Sequence, residues 1–193
     1  MPNYVKHIVN IKTTDVELEE ILNFIKSDDR VFDFNKIIPM PEALNIQSRY
    51  DLQQVLDKDR ILNENEKELV RKYSENYKNY GFFDWYGWRI SNWGTKWNTS
   101  EPILKDQNIL EFQTAWSHCA PIFFVLSNKF PKAVFEVNFA DEDRGYNTQI
   151  LTYQNGAIIN KIEFVLGSQD AEKNHDLVWE YTPELDDSEL DEG

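Results

Sequence analysis

Between positions 85 and 97 the chain sets Trp85, Trp88, Trp93 and Trp97 among Arg89, Asn92, Gly94 and Lys96. Trp and Arg are the usual anchors of binding hot spots, and cationic side chains stack on indole faces. Trp88, Arg89, Asn92, Trp93, Lys96 and Trp97, with Trp116 downstream, are therefore expected to form an aromatic and basic partner-binding surface. The plainer expectation stands beside it: Trp85 and Trp88, three apart, pin the segment onto a sheet, because aromatic side chains are more often core than site. A second expected surface is acidic, made by Glu136, Asp141, Glu142, Asp143 and Glu163.

Other reactive residue types lack the spacing that chemistry needs. His118 and Cys119 are adjacent, and neighbours in sequence normally diverge, whereas a nucleophile and its base must converge. His7 lies on the apolar face of an expected strand and reads as a hydrogen-bonded core histidine, and His175 has no partner in view. Three scattered histidines and one cysteine give no zinc spacing. Asp141-Glu-Asp-Arg-Gly145 imitates the opening of a calcium loop, but position 152, where the distal bidentate carboxylate belongs, is Thr; a solvated turn is expected. There is no Gly-rich phosphate loop and no Gly-x-Ser-x-Gly elbow. The expectation is a non-enzymatic protein with no cofactor and no metal.

Across 193 residues, 20 Lys plus Arg stand against 34 Asp plus Glu, a formal charge of −14. Affinity for nucleic acid is built from Lys and Arg that displace counterions, so direct nucleic-acid binding is not expected and a basic protein is the natural partner. The charge is regional: residues 1–133 hold 17 bases and 19 acids, residues 134–193 hold 3 and 15. A nearly neutral, Trp-rich body thus precedes an acidic end. With 41% hydrophobic and 14% aromatic residues the chain is expected to fold. The single Cys119 excludes an internal disulfide, MPNYVKHIVN lacks a signal-peptide pattern, and no apolar run approaches a membrane span; a cytoplasmic protein is expected.

The elements that must position these residues follow from periodicity. Tyr4 to Lys12 alternates as a half-buried strand. Thr14 with Glu17 opens a helix by a capping-box pattern, and Leu18, Ile21, Leu22 and Ile25 form its stripe. Val31 to Ile38 reads as an irregular second strand stopped by Pro39 and Pro41, which would complete a β-α-β start. Residues 40–108 read as a helical insertion, whose stretch 49–80 balances seven basic against seven acidic residues around the stripe Leu69, Tyr73, Tyr77 and Tyr80. Ile109 to Trp116 reads as a strand, Ser117 as a helix cap, and Ile122 to Phe130 as a doubly covered central helix. Ala133 to Phe139 then alternates, and Thr148 to Tyr153 with Ala157 to Leu166 makes a hairpin across Asn155-Gly156.

Two β-α-β units followed by antiparallel strands predict an α+β, ferredoxin-like antiparallel sheet with two packed helices, a helical insertion between the halves and an additional C-terminal hairpin. One domain is expected over residues 1–180, with a disordered acidic tail at 181–193. Glu111, Gln113, Glu136, Asn138, Lys161 and Glu163 would share the faces away from the apolar positions, too acidic for the stacked-base recognition of ferredoxin-like RNA binders.

Pro2-Asn-Tyr-Val-Lys-His-Ile-Val-Asn10, the Pro39-Met-Pro41 break, Trp88-Arg-Ile-Ser-Asn-Trp-Gly-Thr-Lys-Trp97 and Phe112-Gln-Thr-Ala-Trp-Ser117 resemble the Api92-like family with its YubB ferredoxin-like domain, over about residues 1–166. The family's usual Pro directly after the Ala-Trp-Ser segment is displaced here by His118-Cys119-Ala120. The resemblance implies a ferredoxin-like core and an origin in phages, plasmids or integrative elements; it supplies no reaction. Joined to the charge, it leads to an expected inhibitor of a nucleic-acid-handling system, an anti-CRISPR or anti-defence protein whose acidic surface fills a basic groove of a host protein. The rival expectation is an accessory factor in element maintenance or replication that holds single-stranded nucleic acid or a peptide on the Trp-rich segment.

Overall fold

Strand β1, Tyr4–Lys12, buries alternate residues, Val5, His7, Val9 and Ile11, as a half-covered strand should. The computed structural model describes residues 3–48 and 62–180. Helix α1, Asp15–Ile25, starts where the Thr14 side chain accepts from the Glu17 N–H, and it buries Ile21 and Ile25. Short helix α2, Phe34–Ile37, comes next, then a 3-10 turn at Glu42–Leu44. Helix α3, Glu64–Tyr80, opens on a capping box made by Asn63 and Glu66, and helix α4 spans Trp85–Trp93. Strands β2, Ser100–Asp106, and β3, Ile109–Ala115, lead to helix α5, Ala120–Lys129. Strands β4, Val134–Asp141, β5, Gln149–Gln154, and β6, Ala157–Glu163, are followed by helix α6, Gln169–Trp179.

The six strands form one antiparallel sheet in the order β2-β3-β1-β4-β5-β6. β1 lies between β3 and β4, with Val5 opposite Thr114 on one side and Asp141 on the other. The unit β3-α5-β4 is therefore a β-α-β unit split by β1, the arrangement of a ferredoxin-like sheet. Ile21 and Ile25 of α1 and Ile122, Phe123 and Leu126 of α5 pack with Val5, Val9, Ile11, Phe112, Phe135 and Val137 in one buried cluster. Each such side chain contributes about 1.5–3 kcal/mol by leaving water. Helix α6 covers the other face, where Asn174 exchanges hydrogen bonds with Asn138 and donates to Thr148.

Five sequence expectations need correction. Val31 to Ile38 is not a strand: Asp33 caps α2 by accepting from Asn35 N–H, and Asn98, 64 residues from Phe34, accepts the Phe34 N–H. The β-α-β start therefore does not exist, although Phe32 and Phe34 are buried as its apolar residues required. The segment 40–108 is not helical to its end, because 100–106 forms the edge strand β2. Helix α5 is covered on one side only, with Phe124 and Val125 each 37% exposed, and its N-cap is Cys119 while Ser117 donates to Gly94 C=O. The Leu69–Tyr80 stripe buries Tyr73 but leaves Tyr77 and Tyr80 exposed. The expected disordered tail at 181–193 and the charged residues 49–61 lie outside the described residues.

Gly94 is where α4 meets the start of α5. It ends α4 at φ 80°, and a Cβ there would stand 2.9 Å from Pro121 Cδ and 3.0 Å from His118 C=O. A left-handed conformation costs a non-glycine residue about 1–2 kcal/mol before any contact is counted. Gly94→Ala is expected to lower unfolding free energy by about 2 kcal/mol or more in urea titrations; an unchanged midpoint would show that the two helices can part freely.

Candidate binding surface

Trp85, Arg89 and Trp93 stand four apart on α4, so they stack along one face of the helix. The Arg89 guanidinium carbon lies 4.9 Å from the Trp85 ring centre and 5.0 Å from that of Trp93. The Arg89 Nε is buried without a hydrogen-bond partner, and burial pulls the guanidinium below its ordinary pKa. Trp93 is almost fully buried, and its indole N–H donates to Ile38 C=O at 2.9 Å. Trp88, also buried, meets it edge-on at 5.7 Å. These two rings belong to the core, and Asn92 turns back to donate to Trp88 C=O.

Past Gly94 the surface opens. Lys96 Nζ lies 4.8 Å from the ring centres of both Trp97 and Trp116 and 5.7 Å from that of Tyr86. Trp116 is 44% exposed and holds φ at 69°, a conformation that costs a bulky side chain energy and that recurs at functional sites. Its N–H donates to Asn3 C=O, which fixes the turn that presents the ring. Beside it is a cleft of about 530 Å³ lined by Tyr4, Arg30, Arg89, Trp97, Ser100 and Glu101. The Arg30 guanidinium donates to Thr99 C=O, and Thr99 Oγ1 donates to Phe32 C=O, tying the cleft wall to the core. Among the described residues no carboxylate pairs with Arg30, Arg89 or Lys96.

The acidic residues are placed differently. Asp141 is nearly buried; it accepts from Asp143 N–H at 3.1 Å and, with Asp143, receives the Asn3 side-chain amide. Glu136 pairs with Lys12 at 2.9 Å and Glu163 with Lys161 at 2.6 Å. Glu142 is exposed. Arg144, in the turn that imitates a calcium loop, instead clamps α6 through Glu172 and Asp176, and it holds the Asp176 carboxyl down at about 2. These acids brace turns and neighbouring strands and do not gather into one face.

One convergence had no signal in the spacing. His7 Nε2 lies 3.0 Å from His118 Nδ1, and His118 Nε2 lies 2.9 Å from the Tyr153 hydroxyl. His7 stacks on Phe112 at 4.6 Å and His118 on Phe139 at 4.4 Å. Burial, and then the neighbouring His118, drives the His7 pKa well down; burial alone takes His118 to about 3. Burial also pushes the Cys119 thiol and the Tyr153 hydroxyl up, so the whole group is neutral. The donor atoms of His7, His118 and Cys119 lie within 4.8 Å of one another, but the facing histidine nitrogens are engaged in the chain to Tyr153. The group acts as a polar thread through the aromatic core. His175, the third histidine, pairs with Asp176 and stacks near Trp179. No helix among the described residues is long and apolar enough to cross a membrane.

A search of curated proteins returned no match. A crystal structure of protein Api92 from Yersinia pseudotuberculosis superposes with a TM-score of 0.50 at 10% sequence identity, covering 87% of this chain and 100% of that one, which is a likeness of fold. Residues 92–182 match the family model described as the ferredoxin-like domain in Api92-like protein, a span that runs from the end of α4 past α6 and leaves out β1. By that segment and by the split β-α-β sheet, residues 92–182 carry a ferredoxin-like domain similar to that of Api92-like protein.

Proposed function

We propose that this is a non-enzymatic binding protein of a phage or other mobile element, which docks an acidic segment of a partner protein on the aromatic and basic surface around Arg89, Lys96 and Trp116. The observation that carries this reading is Arg89, which sits between two indoles with its Nε unpartnered and lines a cleft shared with Arg30. A carboxylate entering the cleft gains charge-assisted hydrogen bonds from groups that have no acid of their own among the described residues. Exposed Trp116 and Lys96 offer a rigid platform beside it. A protein partner is favoured over a nucleic acid because three cations cannot offset a −14 chain along a polyanion. The mimicry version of an anti-defence role loses support, since most of its named acids are engaged within the chain. An anti-defence role through the basic surface stays within the proposal.

The test is affinity capture from extract of cells that carry the gene, read by quantitative mass spectrometry, with wild type against R30Q/R89Q and W116A. Both variants are expected to lose at least tenfold of the captured partner while keeping wild-type circular dichroism. Equal capture by all three overturns the proposal. Retardation of a thymidine oligonucleotide at about 50 mM salt, where phosphate contacts are strongest, would transfer the same surface to single-stranded nucleic acid.

A further inference from the structure

The two edges of the sheet are built differently. β2 carries Pro102, which has no N–H to offer a neighbour, and its pairing with β3 is irregular at two places. Its Lys105 is tied to Glu111 and Glu180. That edge is blunted. β6 has no proline, and all seven of its residues are exposed. Ile162 is 43% exposed, Ile159 56%, and Val165 just beyond the strand 77%. The single irregularity of its pairing with β5 falls between Thr152 and Tyr153, so Asn160–Glu163 keeps a regular register and, among the described residues, an open outer edge.

An open edge can pair with a second copy of itself only antiparallel about a two-fold axis. Because side chains alternate between faces, such an axis must pass through a residue that meets its own copy. Centring it on Lys161 sets lysine against lysine; centring it on Asn160 sets Lys161 against Ile159. Centring it on Ile162 sets Lys161 against Glu163 of the second copy twice over and Ile162 against itself, all within the regular stretch. Lys161 and Glu163 already lie on one face, 2.6 Å apart, so pairing would close them into a ring of four alternating charges.

We infer that β6 is a self-recognition edge, and that two chains join antiparallel about Ile162 to make one continuous twelve-stranded sheet. The partner is a second copy because the edge is complementary to itself in charge and in apolar surface. This inference does not rest on the aromatic and basic surface.

Sedimentation of the full chain tests it with charge reversals at exposed positions. Wild type is expected to show a concentration-dependent dimer. K161E and E163K, each of which sets like charges opposite one another, are expected to sediment as monomers with wild-type circular dichroism. The two single variants mixed in equal amounts are expected to pair with each other, and the swapped double variant K161E/E163K to recover the dimer. A wild type that is monomeric up to its solubility limit overturns the inference. So does a dimer indifferent to the single reversals, or single variants that the mixture and the swap fail to rescue.

Discussion

Trp93→Ala is expected to lower the unfolding free energy by about 3–5 kcal/mol, the usual cost of emptying a buried Trp site. The ring is almost completely enclosed, meets Phe34 edge-on at 6.0 Å and Trp88 at 5.7 Å, and gives the Ile38 carbonyl its donor. Removing it leaves a cavity between α2 and α4, an unpaired carbonyl, and Arg89 with a single indole beside it. Stabilities of ordinary domains are about 5–15 kcal/mol, so this one change would consume a large share. Urea titrations of Trp93→Ala and Trp116→Ala measure the contrast. Trp116, 44% exposed, is expected to cost about 0.5 kcal/mol or less. Equal losses at the two positions would contradict the division of the aromatic segment into core and surface.

Acid is expected to destabilise the protein well above the range where carboxylates titrate. Unfolded histidines titrate near 6.5, whereas burial holds His118 at about 3 and His7 far below its ordinary value in the folded chain. Below pH 6.5 the unfolded state therefore binds more protons than the folded one. The contribution is fully present above pH 6.5 and is lost as pH falls toward 3. The slope reaches no more than about 1.4 kcal/mol per pH unit for each histidine, and less for His118, part of which stays in contact with solvent. The groups facing the pair, Cys119 and Tyr153, are pushed upward by burial and stay neutral throughout. Asp176, drawn from 3.8 to about 2 by Arg144, and Glu68 and Glu180, lowered from 4.5 by Arg71 and Lys105, act at lower pH, so the interval from 6.5 to about 5.5 isolates the histidines. Unfolding midpoints measured across that interval should fall for wild type and fall less steeply for His118→Gln. A flat wild-type profile would mean that the thread accepts a proton without cost.

How far the sequence disclosed this molecule depended on how local each determinant was. β1, α1 and the β5-β6 hairpin are legible because alternation, a Thr14 cap and Asn155-Gly156 act within a few residues; Asn155 and Gly156 take φ values of 50° and 72°, as the turn demands. The Trp85-Arg89-Trp93 ladder is equally local, a four-residue spacing hidden behind the pair Trp85 and Trp88 three apart. α2 reads as a strand because Phe32 and Phe34 alternate, while the Phe34 N–H is taken by Asn98 from the loop between α4 and β2. α6 escaped notice because an acidic segment hides the few residues it buries, Ala171, Asn174, His175 and Val178. The thread of His7, His118 and Tyr153 joins positions 111 and 35 residues apart, and only the threading of β1 between β3 and β4 brings them together.

That threading also sets a clock for synthesis. β1 leaves the ribosome well before the strands it needs, because both of its neighbours come from residues 109–141. At roughly 5–20 residues per second, the interval before β4 is complete is on the order of 10 s. Through that time Val5, Ile8, Val9 and Ile11 have no sheet to join, and the pairing that finally captures them closes loops of about a hundred residues, which makes folding slow. The nascent chain therefore offers an apolar strand to whatever shields such segments in the cell, and its yield depends on that protection long before the finished protein meets a partner.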